Sequence, residues 1–330
     1  MPPIFFDVVA LLPFAVAIQT AQATEPFAPI GAKPVSATAA STASNLAGSA
    51  GNTGASSSPP YVAPFQLRNV MSRTGVRLDT TAAPYDAGGA DALTTVLLLG
   101  AQVRLADAVS LQARWGVDDN RVGTGQRNRA GILNPSLGAL FAVPVGPNFR
   151  FAVSAALSLP LATGGGENPD PDALFLQRQG ALARSAMDNA SFAVNDLGVP
   201  TGMSLAYIRS GFTAQADFTI IASGRVKGPK SLTDSTKLNS TYGLMLGYFV
   251  VPELSLGIEL RYQYYLTITE AILRDPSARD NLTLGTGARL HIDLSATTRM
   301  RPGLCYAIGL HGPVREAAMH MVQFDIPISF

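Results

Sequence analysis

The chain has 330 residues, of which 14% are charged, 31 are glycine, three are histidine and one is cysteine, with a formal net charge of +1. An ordinary soluble domain carries about a quarter charged residues, yet the mean hydropathy here is only +0.21. That excludes a bundle of transmembrane helices, each needing an apolar run of about 20 residues. An apolar content of 47% excludes a disordered chain. The near-neutral charge gives no reason to expect nucleic acid as a partner, and one cysteine permits neither an internal disulfide nor a cysteine-based metal cluster. A large globular enzyme and an outer-membrane β-barrel both fit these figures.

The N-terminus separates the two. Residues 4–18 form an apolar stretch, and Ala21-Gln22-Ala23 behind it is a small-x-small cleavage site. This is the layout of a secretory signal peptide over 1–23. Two features depart from it: no Lys or Arg precedes the stretch, and Asp7 lies inside it. A buried N-terminal helix is the alternative. Residues 24–62 are mostly Ala, Ser, Thr, Gly and Pro. They cannot bury enough apolar surface to offset their ordering entropy, which makes them a disordered periplasmic leader.

From residue 63 to 330 the apolar period is two, the repeat of a strand with two unlike faces. Between Phe149 and Leu161 the odd positions are all apolar (Phe, Phe, Val, Ala, Leu, Leu, Leu) and the even ones are Arg150, Ala152, Ser154, Ala156, Ser158 and Pro160. The pattern predicts twelve strands: 66–78, 93–105, 109–118, 132–145, 149–162, 200–209, 212–222, 239–250, 254–266, 281–291, 294–307 and 319–330. Most exceed the 5 to 6 residues usual in soluble sheets and approach the roughly 9 to 11 of a membrane-spanning strand. Short connections (106–108, 146–148, 210–211, 251–253, 292–293) alternate with long ones (79–92, 119–131, 163–199, 223–238, 267–280, 308–318). That alternation is expected of an all-β, transmembrane, antiparallel up-and-down barrel with tight periplasmic turns and long external loops. Phe149, Phe151, Tyr207, Phe212, Tyr248 and Phe330 fall near the periplasmic ends, and Trp115, Tyr262, Tyr264 and Tyr306 near the outer ends, as two interfacial girdles would.

In the longest loop, 163–199, residues 173–187 read as a short helix with Asp172 as N-cap. The helix either folds over or into the barrel mouth, or stands outside as an exposed cap. Glu167, Asp170 and Asp172 do not have EF-hand spacing, and no cofactor or metal signature appears. The last strand places Val322, Phe324, Ile326, Ile328 and Phe330 on one face with Phe at the end. This resembles the C-terminal signal of Gram-negative outer-membrane proteins, which implies the barrel-assembly machinery as a partner. Asn134-Pro135-Ser136-Leu137-Gly138, Leu159-Pro160-Leu161-Ala162-Thr163-Gly164 and Arg301-Pro302-Gly303-Leu304-Cys305-Tyr306 resemble pieces of the transporter-type barrels grouped with meta-pathway phenol-degradation proteins, distant relatives of the fatty-acid channels. The resemblance implies passage of small, apolar or aromatic molecules. Nothing like the long N-terminal plug of the fatty-acid channels is evident.

Strand phase assigns the interior. Charges on a lipid-facing position cost about 2–4 kcal/mol at midplane, so Arg104, Arg114, Arg150, Asp217, Glu259, Arg261, Arg289, Arg299 and Arg301 are expected to line the lumen. One phase adds Arg73 and Arg77. Such residues make either a cation-lined, water-filled pore or an arginine–carboxylate network that fills a narrow barrel; twelve strands lie between the filled and the open cases. The histidines, His291, His311 and His320, form no recognisable hydrolase motif. The expectation is a non-enzymatic outer-membrane channel for small solutes, in contact with outer-membrane lipid, with a sealed structural barrel or a lipid hydrolase as alternatives.

Overall fold

The computed structural model describes residues 61–123, 128–228 and 235–330. The predicted signal peptide and all but the last two residues of the leader lie outside them. Among the described residues the chain forms strands β1 (Gly75–Asp86), β2 (Asp91–Arg104), β3 (Val109–Val122), β4 (Arg129–Ile132), β5 (Ser136–Val145), β6 (Phe149–Ser158), β7 (Asp196–Arg209), β8 (Phe212–Arg225), β9 (Thr236–Val251), β10 (Leu254–Tyr265), β11 (Asp280–Leu290), β12 (Ile292–Asp293), β13 (Arg299–Met300), β14 (Gly303–His311) and β15 (His320–Ser329). Helices α1 (Pro171–Ala183) and α2 (Asn189–Phe192) lie in the long connection between β6 and β7.

Twelve of these strands form one antiparallel sheet in sequence order, and β15 pairs back onto β1 from Gly75↔Ser329 to Ala82↔Val322. The sheet is a closed twelve-stranded barrel. β4 is a short spur on β3, and β12 and β13 prolong the β11–β14 hairpin at the short-turn end. The β6–β7 ladder passes from Ala155↔Thr201 to Ser158↔Gly198 without pairing the residues between, where Pro200 has no N–H to offer.

Closure gives each strand one face outside and one inside. The outer face is a belt of exposed apolar side chains, including Leu99 at 55%, Leu137 at 64% and Leu304 at 57%. The inner face holds buried polar and small side chains such as Gln215, Glu259 and Gln323. This inversion of the soluble pattern is the architecture of a transmembrane barrel, whose solvent outside is hydrocarbon. Aromatic rings meet at both ends of the belt. Phe149, Tyr207 and Phe212 meet in sequence, tilted to one another, at 5.1 and 6.5 Å near the short turns. Phe218, Tyr242, Tyr262 and Tyr264 do so at 5.0, 6.0 and 6.4 Å toward the other end.

All twelve expected strands are present, with three local differences. The first begins at Gly75 rather than 66, because the alternating stretch before it bends and finds no ladder partner. Its connection to β2 is then short, running from Ala87 to Ala90, which are joined by a 2.9 Å backbone hydrogen bond. The turn expected at 292–293 lies later, where Leu294 N–H donates to Thr298 at 2.9 Å.

Candidate functional site

The lumen is occupied by two pieces of chain that are not strands. The first is the segment 61–74. Tyr61, Val62, Ala63, Phe65, Leu67 and Val70 are all buried inside the barrel. The wall makes room for it with glycines. Gly247, Gly257 and Gly287 are direct cross-strand neighbours on β9, β10 and β11. A Cβ at Gly247 would stand 2.6 Å from Val62, one at Gly287 2.7 Å from Phe65, and one at Gly303 2.8 Å from Phe65. A Cβ at Gly243 would overlap Leu67.

Because the segment has no ladder, its backbone groups need side-chain partners from the wall. Glu259 accepts from the N–H groups of Phe65 and Gln66, and Asp217 Oδ2 accepts from Arg68 N–H at 3.1 Å. Gln323 donates to the Phe65 carbonyl at 2.8 Å, Gln215 to the Arg68 carbonyl at 2.6 Å, and Arg289 to the Pro64 carbonyl at 3.3 Å. The Arg289 guanidinium also lies 4.7 Å over the Phe65 ring. An inserted N-terminal piece is thus present, contrary to the expectation from sequence. The alternation of Phe65 and Leu67 with Gln66 and Arg68 imitates a strand in the sequence, although the chain bends at 65–67 and pairs with no strand.

The second insert is the β6–β7 connection. Helix α1 begins with Asp170 as N-cap, accepting from Asp172 N–H at 2.9 Å, and not with Asp172 as expected. Pro171 suits the first helical position, where no intrahelical N–H is required. The helix folds into the mouth: Leu176, Ala183, Arg184 and Ser185 are buried. Beyond it, Ser185 and Ala186 adopt φ of 56° and 53° and turn the chain back upward.

Asn134 fixes the base of this connection. Its amide nitrogen donates to the carbonyls of Ala190 at 3.0 Å and Ala193 at 2.8 Å, and its oxygen accepts from Leu161 N–H at 2.8 Å and Ala162 N–H at 2.7 Å. Thr163 adds a bond from Ile132 N–H to its hydroxyl at 2.8 Å. The motifs 134–138 and 159–164 are therefore one physical unit, a clamp on both ends of the insert. The third motif, 301–306, borders the other insert through Gly303.

A set of ion pairs ties the second insert to the wall. Asp188 is gripped by Arg114 at 2.6 and 2.7 Å and by Arg184 at 3.1 Å. Burial raises the Asp188 pKa, but Arg114 and Arg184 outweigh it and hold the carboxyl well below the usual carboxylate range. Arg184 continues to Asp79 at 2.8 Å, and Arg77 to Asp325 at 2.8 Å. Asp325 is shared with Arg289 at 3.1 Å.

Of the nine residues expected to line a pore, Asp217, Glu259, Arg261 and Arg289 are buried in the lumen, and Arg114, Arg150 and Arg301 are half-buried. Arg104 and Arg299 are exposed at the short-turn end, and Arg299 pairs with the exposed Asp293 at 2.9 Å. Arg299 falls outside because its hairpin extends past the barrel rim. Arg261 is paired with Glu259 at 2.7 Å, both fully buried. Strand phase misses Arg68, Asp79, Arg184 and Asp188. The first belongs to a segment that imitates a strand, Asp79 to the continuation of the displaced first strand, and the last two to a connection without strand phase. Phe324 and Phe330 face outward, with Ile326 and Ile328 half-buried beside them.

Between the inserts lies a cavity of about 270 Å³ bordered by Gln66, Arg68, Arg73, Arg114, Arg184 and Asp217. The histidines lie elsewhere. His320 Nδ1 shares a 2.6 Å hydrogen bond with the Tyr306 hydroxyl. His291 Nε2 shares one of 2.8 Å with Ser255, while the nearby Asp293 is engaged by Arg299. His311 stands 3.3 Å from Asp280.

No family model matches the chain, and no curated protein matches it. Among solved structures it is similar to the KdgM porin (8% identity, 77% of this chain and 99% of that one, TM-score 0.41). It is also similar to the NanC porin (7%, 77% and 98%, TM-score 0.43) and to the CymD monoaromatic hydrocarbon channel (10%, 78% and 89%, TM-score 0.38). Likeness at this level carries no functional argument; the chain's own residues must supply it.

Proposed function

We propose that this protein is an outer-membrane channel for passive movement of small solutes, closed at rest by its two lumenal inserts. One observation carries the reading: two pieces of chain that are not strands, one of them seated against inward-facing glycines, occupy the lumen beside buried side chains of the wall such as Arg261, Arg289 and Met245. A barrel meant only as a rigid scaffold can be filled from its strands, as eight-stranded barrels are. Removing the segment 61–74 from this wall would leave a glycine-floored opening. The segment is held mainly by side-chain hydrogen bonds and one cation–π contact, each worth about 0.5–3 kcal/mol and individually replaceable by water.

The test is to lock and unlock the segment. In a Cys305→Ser background, Leu67→Cys with Gly243→Cys places two thiols where the Leu67 side chain meets the wall. In planar bilayers the reduced protein is expected to show transient openings, and oxidation to abolish them, reversibly. Equal conductance in both states would show that solute does not pass the segment. No conductance in either state would favour the sealed barrel, the reading that the buried Glu259–Arg261 and Arg289–Asp325 pairs support. Hydrolase chemistry has weaker support. His320 pairs with a tyrosine hydroxyl, and the Ser255–His291 pair lies at the short-turn end, where the acid near it is already engaged.

A further inference from the structure

The cavity between the inserts has a charge imbalance that its own residues do not correct. Five arginines and three aspartates line it. Arg77, Arg114 and Arg184 are accounted for by Asp79, Asp188 and Asp325. Arg68 and Arg73 have no carboxylate within ion-pair distance among the described residues. Asp217, which accepts from Arg68 N–H, the Ser204 hydroxyl and Gln215 Nε2 at 3.1, 2.9 and 3.2 Å, offsets the charge of Arg68 in part across a longer gap.

Arg73 is the more exceptional of the two. It is half-buried and has Arg301, Arg77 and Arg289 around it, with no carboxylate in ion-pair reach among the described residues. The same stretch of chain is short of hydrogen-bond partners. Gln66 Nε2 and Oε1, Arg68 Nη1 and Asn69 Nδ2 are buried with none among the described residues. Buried charges in proteins are paired, and buried polar groups are hydrogen-bonded, because leaving them bare is costly. A group of them around one cavity is a binding site by its chemistry. Ala156, Met187 and Pro200 are half-buried apolar residues of the same lining, interspersed with serines, threonines and glutamines.

We infer that this cavity binds a small organic carboxylate, its anionic end against Arg73 and its apolar body against the half-buried apolar residues of the lining. The inference deepens the channel reading and rests on it. It also reconciles the two solute classes the sequence suggests, an anion and a small apolar or aromatic compound, in one molecule.

Calorimetric titration of the full chain in detergent micelles tests this with benzoate, benzyl alcohol and inorganic phosphate as probes. Benzoate is expected to bind saturably, with benzyl alcohol and phosphate each at least about tenfold weaker, since each lacks one half of the recognition. Arg73→Gln should weaken benzoate by about tenfold to a hundredfold, the worth of a charge-assisted hydrogen bond. Arg73→Lys should recover most of that loss. Neither substitution removes an ion-pair partner, so the circular dichroism of the barrel should be unchanged. Benzoate affinity equal in wild type and Arg73→Gln, or absent in wild type, overturns the site. Phosphate binding as tightly as benzoate overturns the organic part of the assignment. Arg73-dependent binding in a barrel that never conducts would retain the site and sink the channel; conductance without such binding would do the reverse.

Discussion

Asn134 carries more structure than any other single side chain outside the ion network. It uses both amide hydrogens and both oxygen lone pairs on backbone groups from two stretches of the β6–β7 connection. It is 1% exposed, so none of these bonds competes with water. Asn134→Ala strands two carbonyls and two N–H groups, at about 1–3 kcal/mol for each that water cannot reach. Asn134→Asp keeps the acceptor and loses the donor. Both should leave the barrel intact and loosen the insert. Limited proteolysis should cut within 159–195 at least about tenfold faster in Asn134→Ala than in wild type, with Asn134→Asp between them. Equal rates would mean that burial of α1, and not the clamp, holds the connection. Arg299→Ala supplies the contrast: its pair with Asp293 is exposed on both sides and worth about 0–1 kcal/mol, so stability and any ion preference should stay within error.

At the scale of elements, the row of glycines and the segment it accommodates form one device. Gly243 and Gly247 are the informative positions, because a Cβ there meets the side chains of Leu67 and Val62 and not the neighbouring wall. Valine suits a strand yet fills the groove. Gly243→Val with Gly247→Val is therefore expected to fold as a barrel, unseat the segment and raise bilayer conductance well above that of wild type. Conductance at or below the wild-type level would show that the segment is not the barrier. The same pairing of groove and occupant marks the limit of what the residues alone disclose. The twelve strands are legible because each has a lipid face that excludes charge, and the same phase places Asp217, Glu259, Arg261 and Arg289 inside. The segment 61–74 reads, over 66–74, as the start of a strand because Leu67 alternates with polar Gln66 and Arg68 in the sequence, although the chain there bends and finds no ladder partner. The glycines opposite it look like ordinary small inward residues. Only the three-dimensional register, which aligns Gly247, Gly257 and Gly287 across adjacent strands, shows them to be a groove with an occupant.

At the scale of the molecule, the two inserts enter by different routes yet hold to one set of charges. Arg184, in the β6–β7 connection, ends on Asp79, and Asp79 also accepts from Gln323 at 3.0 Å. Gln323 holds the Phe65 carbonyl of the other insert. Asp79 is therefore a hinge point for both, buried on β1 at 5% exposure. Removing one member of a buried pair costs about 3–5 kcal/mol, because the partner keeps its charge and loses its counter-charge. Asp79→Asn keeps the shape and removes the charge, leaving Arg184 only Asp188. If the inserts move as a unit, this one substitution should release both: faster cleavage in 159–195 and in 61–74 together, and longer channel openings. A double-mutant cycle with Asn134→Ala separates the possibilities. Independent inserts predict that Asn134→Ala affects cleavage of its own connection alone and that the two substitutions add. Coupled inserts predict that Asn134→Ala also exposes 61–74, and that the double variant falls short of the sum by about 0.5–3 kcal/mol, the range for groups sharing one network. High salt should barely alter either result, since charges buried between the inserts are screened far less than those at the rim.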